Sequence, residues 1–328
     1  MTTPPFTPRL CALVAAALLA AGPAFADRIF VSNERSNDIT VLDGTTFEVI
    51  HSFAGGQRPR GITASPDGRI LYVCASDDDL VRVFDTETYE ELPSLPSGPD
   101  PELFVLHPSG NPLYIANEDD NLVTVVDVET RQVLAEIPVG VEPEGMGISP
   151  DGRIVINTSE TTNMAHFIDA ETYEIVANVL VDQRPRYAQF TSDGSVLFVT
   201  SEIGGTVSVI DPEAREIVHK ITFEVPGVLP EALQPVGLKV TGDGRTVYVA
   251  LGPANRVAVV NGETYEVEDY LLVGQRVWQL AFSPDERFLF TTNGNSNDIS
   301  IIEVATNRVI RSVQVGEQPW GVVAVATP

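Results

Sequence analysis

The sequence predicts an all-β chain of short four-stranded units closed into a ring of seven, and three observations predict it. The first is self-similarity. A turn of the type Ser65-Pro66-Asp67-Gly68 returns as Pro108-Ser109-Gly110, Ser149-Pro150-Asp151-Gly152, Ser192-Asp193-Gly194, Gly242-Asp243-Gly244 and Ser283-Pro284-Asp285-Glu286, at steps of 42, 42, 42, 50 and 42 residues from Asp67. Seven units of 42 with one eight-residue insertion span 302 residues, the length that follows residue 26, so no second domain is left to place. The second is the composition of each unit, four short runs rich in Val, Ile, Thr and Tyr between turn residues. The third is the supply of turns: 25 Gly and 24 Pro against 7% aromatics.

Residues 1–26 stand outside the repeat. Arg9, the apolar run from Leu10 to Ala21 and the ending Ala24-Phe25-Ala26 have the pattern of a cleaved export signal, and the run is too short to span a bilayer. Cys11 follows Pro8-Arg9-Leu10, unlike a lipoprotein cleavage box, and leaves with the signal. An exported, periplasmic protein is therefore expected, with one domain over residues 27–328. Its single remaining cysteine, Cys74, has no internal disulfide partner.

Each unit begins after the Asp-Gly turn with a run such as Leu71-Tyr72-Val73 or Val247-Tyr248-Val249. A polar loop leads to a second run, such as Thr206-Val207-Ser208-Val209-Ile210-Asp211, and a Thr-containing turn to a third, such as Gln132-Val133-Leu134-Ala135-Glu136-Ile137. The fourth follows a proline, as in Pro143-Glu144-Gly145-Met146-Gly147-Ile148. A four-stranded unit of this length is a propeller blade. The chain starts inside a unit, at Ile29-Phe30-Val31-Ser32-Asn33, and ends with the strand that precedes it, Pro319-Trp320-Gly321-Val322-Val323-Ala324-Val325. The two ends are therefore expected to share one blade and remove the open sheet edge.

The repeat resembles the YVTN type, as in Tyr114-Ile115-Ala116-Asn117, Leu122-Val123-Thr124-Val125-Val126-Asp127 and Ile137-Pro138-Val139-Gly140. Segments that depart from the bare repeat, among them Ser97-Gly98-Pro99-Asp100-Pro101-Glu102, Asn117-Glu118-Asp119-Asp120-Asn121, the stretch from Asn157 to His166, and Gly252-Pro253-Ala254-Asn255-Arg256, are similar to the PQQ-dependent catabolism-associated β-propeller proteins. That resemblance implies a periplasmic companion of pyrroloquinoline quinone alcohol-oxidising systems, often encoded beside an ABC transporter. It supplies no reaction. The PQQ dehydrogenases are themselves propellers, but with a tryptophan docking motif in each blade that this chain lacks.

In a propeller the fourth strand of a unit is innermost, so the proline loop before it opens onto the central channel. One register there holds different chemistry in each blade. The residue after the loop proline, or its equivalent, is Arg60, Glu102, Glu144, Arg186, Val236, Trp278 and Trp320; two positions earlier stand Arg58, Asp100, Glu142, Arg184, Gln234, Arg276 and Gln318. Both tryptophans of the chain fall in this ring, and a scaffold needs no such variety. Guanidiniums hold carboxylates in bidentate fashion and indoles offer a flat apolar face, a pairing that suits a planar polyanion such as PQQ. The alternative is structural, with Arg and Glu bridging the channel while Trp plugs it.

Loops expected on the same face are acidic: Asp77-Asp78-Asp79, Glu118-Asp119-Asp120, Glu160 and Glu202. They are read as solvated charge, or else as oxygen ligands for Ca²⁺ or a lanthanide, with Glu102 and Glu144 the candidate metal carboxylates. The insertion, Glu224 to Leu233, is either a lid or docking element or a loop folded back on the ring. His51, His107, His166 and His219 lie in different units without ligand spacing; His166, in an unusual stretch, is the one candidate among them. No nucleophile elbow, haem motif or phosphate loop is present.

With 20 Lys+Arg against 46 Asp+Glu, a formal charge of -26, nucleic acid and anionic membrane are excluded as partners. The expected function is non-catalytic: a monomeric accessory of quinone-dependent alcohol oxidation that binds a small ligand or a dehydrogenase or transporter subunit at the channel mouth. Two alternatives stand beside it. One is a metal-assisted hydrolase of the lactonase kind, in which Glu102 and Glu144 hold an ion that activates water; the other is a pure interaction platform.

Overall fold

The computed structural model describes residues 1–2 and 27–326; the expected export signal lies outside the described residues apart from its first two. Seven antiparallel four-stranded sheets form the ring. Blade 1 is closed as expected by both ends of the chain: the inner strand Pro319–Val325 pairs with Arg28–Asn33, followed outward by Asp38–Asp43 and Val49–Ala54. Blades 2 to 7 follow in chain order, with inner strands Pro59–Ala64, Pro101–Leu106, Pro143–Ile148, Pro185–Phe190, Pro235–Val240 and Val277–Phe282. No helix among the described residues is long and apolar enough to cross a membrane.

Local chemistry explains why these turns recur. At the turn end of the channel, Ser65, Ser149, Thr191, Thr241 and Ser283 each donate a hydroxyl hydrogen bond to the Asp two residues on, at 2.6 to 2.7 Å. On the outer turns, Asp43, Asp85, Asp127, Asp169 and Asp211 accept the amides two and three residues ahead, the Asx arrangement that makes Asp a turn residue. Apolar side chains of facing sheets fill the spaces between blades, for instance Phe198, Val207, Val249 and Val260 between blades 5 and 6. Burial on both faces of each sheet is the main stabilising contribution.

Two further devices fix the inner strands. Adjacent ones run so close that a Cβ on Gly61 would stand 2.6 Å from the Glu102 carbonyl oxygen, and one on Gly321 2.6 Å from that of Arg60. Each inner strand also breaks register just after its first residue, as between the pairs Pro59↔Ala75 and Ile62↔Val73, and likewise in blades 3 to 7. Such a bulge frees one residue from the pleat and re-aims its side chain. The residue freed is the variable one of the mouth. The next sheet clamps its carbonyl: Ser32 donates to Arg60 O at 2.6 Å, Thr200 to Val236 O at 2.7 Å and Thr292 to Trp320 O at 2.7 Å.

Candidate functional site at the channel mouth

The mouth is built by a second 42-residue period. Asn37, Asp79, Asn121, Asn163, Asn255 and Asn297 all adopt positive φ in the loop between a blade's second and third strands. Each side-chain oxygen accepts the backbone N–H of the residue 21 positions on, at 2.8 to 3.1 Å: Arg58, Asp100, Glu142, Arg184, Arg276 and Gln318 respectively. Those six residues are left-handed too. The capped turn therefore delivers the same register in six linkers. The exception is the linker to blade 6, where Gly205 stands in place of Asn and the insertion intervenes.

Within that frame the predicted charges converge into two networks. In the first, Arg58 and Arg60 grip Glu102: Arg58 Nη2 lies 3.0 Å from Glu102 Oε1 and Arg60 Nη1 pairs with Oε2. Arg58 also reaches Asp100 at 3.1 Å, and both arginines reach Glu34, at 3.5 and 3.0 Å. In the second, Arg186 pairs with Glu160, lies 2.6 Å from Glu144 Oε1 and 3.6 Å from Glu202. Arg184 bridges Glu160 and Glu202 at 3.0 and 3.2 Å, and Arg276 of blade 7 crosses to Glu202 of blade 5 at 2.8 Å. Glu142 stands apart, half-buried and bonded to Thr161.

Five guanidiniums thus face seven carboxyl groups within the mouth, Glu34, Asp100, Glu102, Glu118, Glu144, Glu160 and Glu202, and an eighth, the exposed Asp77, lies 3.3 Å from Arg58 at its edge. Burial decides which carboxyls hold protons. It would raise Glu102, but Arg60 and Arg58 outweigh it and hold this carboxylate below its ordinary value. Burial, reinforced by the neighbouring Glu102 charge, pushes Asp100 up to about 6 and Glu118 up to about 8, with a hydrogen bond to Glu102 adding to the latter. Glu144 is driven well above the carboxylate range by burial, with Glu160 and Glu102 adding repulsion that Arg186 only partly offsets. With Glu118 and Glu144 driven toward the neutral form, five anions balance five cations.

The two tryptophans divide the labour. Arg276 stacks over Trp278 at 4.0 Å and Arg186 approaches the same ring at 5.9 Å, so one indole forms a wall of the mouth cavity. Trp320 is 1% exposed, packed with Leu103 and Met146 across the channel, with Arg60 at 5.7 Å from its ring. Its indole lines the larger cavity of the channel and lies beneath Arg60 of the mouth. Above it lies a cavity of about 270 Å³ lined by both networks and Trp278.

Several expectations need correction. Glu160 and Glu202, read as solvated loop charge, are 4% and 5% exposed because arginines from the next blades cover them. Among the described residues, the carboxylates that bring one oxygen each within 4.8 Å of the others are Asp100, Glu102 and Glu118, and Glu144 is not in that group. His166 is 6% exposed and structural: its Nε2 accepts the Gly140 N–H at 3.0 Å, Nδ1 lies 2.5 Å from Asn178 Oδ1, and burial lowers its pKa. The insertion folds back on the ring, with Val225 and Leu233 buried against blade 6 and Leu229 the one of its Val and Leu side chains that is exposed. Cys74 is fully buried and burial raises its thiol pKa. Glu34 was missed, although it shares the register of Glu118, Glu160 and Glu202 at the 42-residue period.

Comparisons with known proteins agree with the fold. The family model described as Lactonase, 7-bladed beta-propeller matches residues 176–318, and that of the WD domain, G-beta repeat matches residues 47–85. No curated protein matches the chain. Among solved structures, Kuenenia stuttgartiensis hydrazine synthase is similar with a TM-score of 0.78 at 21% identity, over 90% of this chain and 99% of that one. A putative 6-phosphogluconolactonase from Bacteroides uniformis gives 0.78 at 17% identity, over 92% and 100%. The dihydro-heme d1 dehydrogenase NirN in complex with DHE gives 0.68 at 15%, over 95% and 77%. At these identities the likeness is one of fold. The chain is a seven-bladed β-propeller, similar over residues 176–318 to the lactonase-type propellers.

Proposed function

We propose that this propeller is a binding protein whose channel mouth holds a small, uncharged, hydroxyl-rich molecule. The observation that carries the reading is the balance around the 270 Å³ cavity: five arginines, Glu118, Glu144 and Glu202 line it with Trp278, Glu34, Asp100, Glu102 and Glu160 pair with those arginines from outside the lining, and burial drives Glu118 and Glu144 toward the neutral form. A hydroxyl group needs both a donor and an acceptor, and an indole covers the C–H side of a polyol. A trianionic quinone such as PQQ meets arginines that Glu34, Asp100, Glu102, Glu160 and Glu202 already neutralise. A divalent ion at Asp100, Glu102 and Glu118 meets Arg58 and Arg60 on the same oxygens. The repeat's resemblance supplies the setting, an exported accessory of alcohol oxidation, and the geometry adds that the alcohol side of that chemistry fits better than the quinone.

The test is calorimetry and tryptophan fluorescence with sorbitol and PQQ on the wild type and on Arg276→Ala and Trp278→Phe. Sorbitol is expected to bind and to shift emission, with the effect lost in both variants. PQQ binding more tightly than sorbitol, or silence from sorbitol at millimolar concentration, overturns the ligand class.

A second reading rests on Glu118. A carboxyl with a pKa of about 8 beside the Asp100 carboxylate is equipped for general acid–base work, and the lactonase-type match supports hydrolysis of a cyclic ester. Turnover of glucono-1,5-lactone above the uncatalysed rate, abolished by Glu118→Gln, would decide for it. Binding without turnover decides for the first.

A further inference from the structure

We infer that the turn end of the channel is a second binding site, for a monocarboxylic acid with an apolar tail. The inference is independent of the mouth: it concerns a separate cavity of about 660 Å³ beyond Trp320, which all seven inner strands line.

Apolar side chains line the cavity from every blade, among them Leu103, Phe104, Met146, Phe190, Leu280 and Val322. The polar ones gather in blades 5 to 7, where Tyr187, Gln189, Lys239 and Gln279 stand together, with Thr63 and His107 contributed by blades 2 and 3. The chain has only two lysines. Lys220 pairs with Asp182 at 2.7 Å on the outer edge of blade 5. Lys239 has no carboxylate partner among the described residues; its ammonium donates one hydrogen bond, to Tyr187 Oη at 2.6 Å. An ammonium has three donors, so two remain to be used. In a chain with 46 acids, a channel lysine left without one is the exception. The one acid of the cavity lining, Glu286, is held at the rim by the Gly242 amide at 2.9 and 3.0 Å.

Further polar atoms along the same lining are unpartnered. Gln279 is 6% exposed, and its Nε2, Gln189 Oε1 and Trp320 Nε1 find no hydrogen-bond partner in the protein. Buried amide and indole groups in that state are costly, and a ligand head group able to accept and donate would offset the cost. A lysine beside uncharged polar groups, in a cavity otherwise lined largely by apolar side chains, is the complement of one carboxylate on a hydrocarbon body. A polyanion would lack cations to meet it, and a neutral hydrocarbon would leave Lys239 unpaired and desolvated.

The experiment uses octanoate and octanol, which differ only in the head group, with the full chain. By calorimetry octanoate binds at least about tenfold more tightly than octanol. Lys239→Met removes that advantage and leaves octanol unchanged, whereas Lys239→Arg retains it. The mouth variant Arg276→Ala leaves octanoate binding as in the wild type, so failure here is separable from failure at the mouth. A second measurement needs no variant: with ¹³C-methyl methionine, octanoate shifts the Met146 signal, which reports on the cavity, and not Met164, which does not line it. Octanoate and octanol binding alike, an unimpaired Lys239→Met, or a stationary Met146 signal at millimolar octanoate each overturns the site.

Discussion

The two ends of the central channel share seven strands and one axis, yet they solve the problem of buried polarity in opposite ways. At the mouth, charges are packed against charges: Arg186 is 4% exposed and touches three carboxylates, and Glu102, with no exposure at all, receives two guanidiniums. At the turn end there is one lysine, a few other polar groups and apolar side chains from every blade. A few residues of inner strand and the Trp320 indole separate the two. The difference teaches that in a propeller the blades fix where side chains meet, while the register within each inner strand fixes what they are. A closed charge network is self-satisfied and selects neutral guests; a solitary ammonium selects an anion.

The sharpest way to break this comparison is to remove one charge at each end. Arg186→Ala takes from Glu144 its arginine and leaves Glu160 and Glu202 to Arg184 and Arg276, and is expected to cost about 3–5 kcal/mol in urea denaturation, the penalty of breaking a buried ion-pair network. Lys239→Met strands nothing and is expected to lie within about 1 kcal/mol of the wild type. Similar losses in the two variants would mean that the mouth network is not the interdependent unit described.

Removing the partition is the next largest perturbation. Trp320→Ala should cost about 3–4 kcal/mol, the range for a large side chain truncated in a packed core, and should merge the two cavities. A loss below about 1 kcal/mol would show that the indole does not close the channel.

The protonated carboxyls give a pH signature confined to the mouth. Native Glu118 keeps its proton up to about pH 8, whereas the unfolded chain loses it near 4.5; the native state therefore holds more protons across that window, and stability falls as pH rises through it. Asp100 adds the same sign between 3.8 and about 6. Glu102 acts oppositely: its depressed value contributes stability above 4.5 that is lost as pH falls below. Thermal stability should thus peak in mild acid. Glu118→Gln should flatten the decline and raise the midpoint at pH 8 by on the order of a few degrees. A wild type most stable at pH 8 would contradict the assignment.

The smallest expected effect lies in the frame. Asn297→Gly keeps the left-handed turn and deletes only the bond to the Gln318 amide, at a cost of about 1 kcal/mol.

Much of this molecule was legible in the sequence because its geometry is periodic. The 42-residue step located every blade, the shared blade of the two termini, and the mouth register from Arg60 to Trp320, since a closed ring turns equal spacing into proximity. What escaped was burial. Glu34, Glu118, Glu160 and Glu202 occupy one register in polar loops, and loop acids read as solvated unless the arginines of the next blades are known to fold over them. The asparagine caps were visible at the same period but looked like ordinary turn residues. The turn-end cavity was not legible, because the bulge after each loop proline shifts the alternation of the inner strand, so a period-two reading does not say which side chains line the channel. Lys239 and Gln279 therefore passed as strand residues.

The claim on which the rest depends is that the mouth is electrically balanced and so prefers a neutral guest. Sorbitol and gluconate test it directly, because the two polyols differ chiefly by one carboxylate. In parallel calorimetric titrations at pH 7, sorbitol is expected to bind at least about tenfold more tightly than gluconate, and Trp278→Phe to weaken it. Gluconate binding as well as or better than sorbitol would contradict the account.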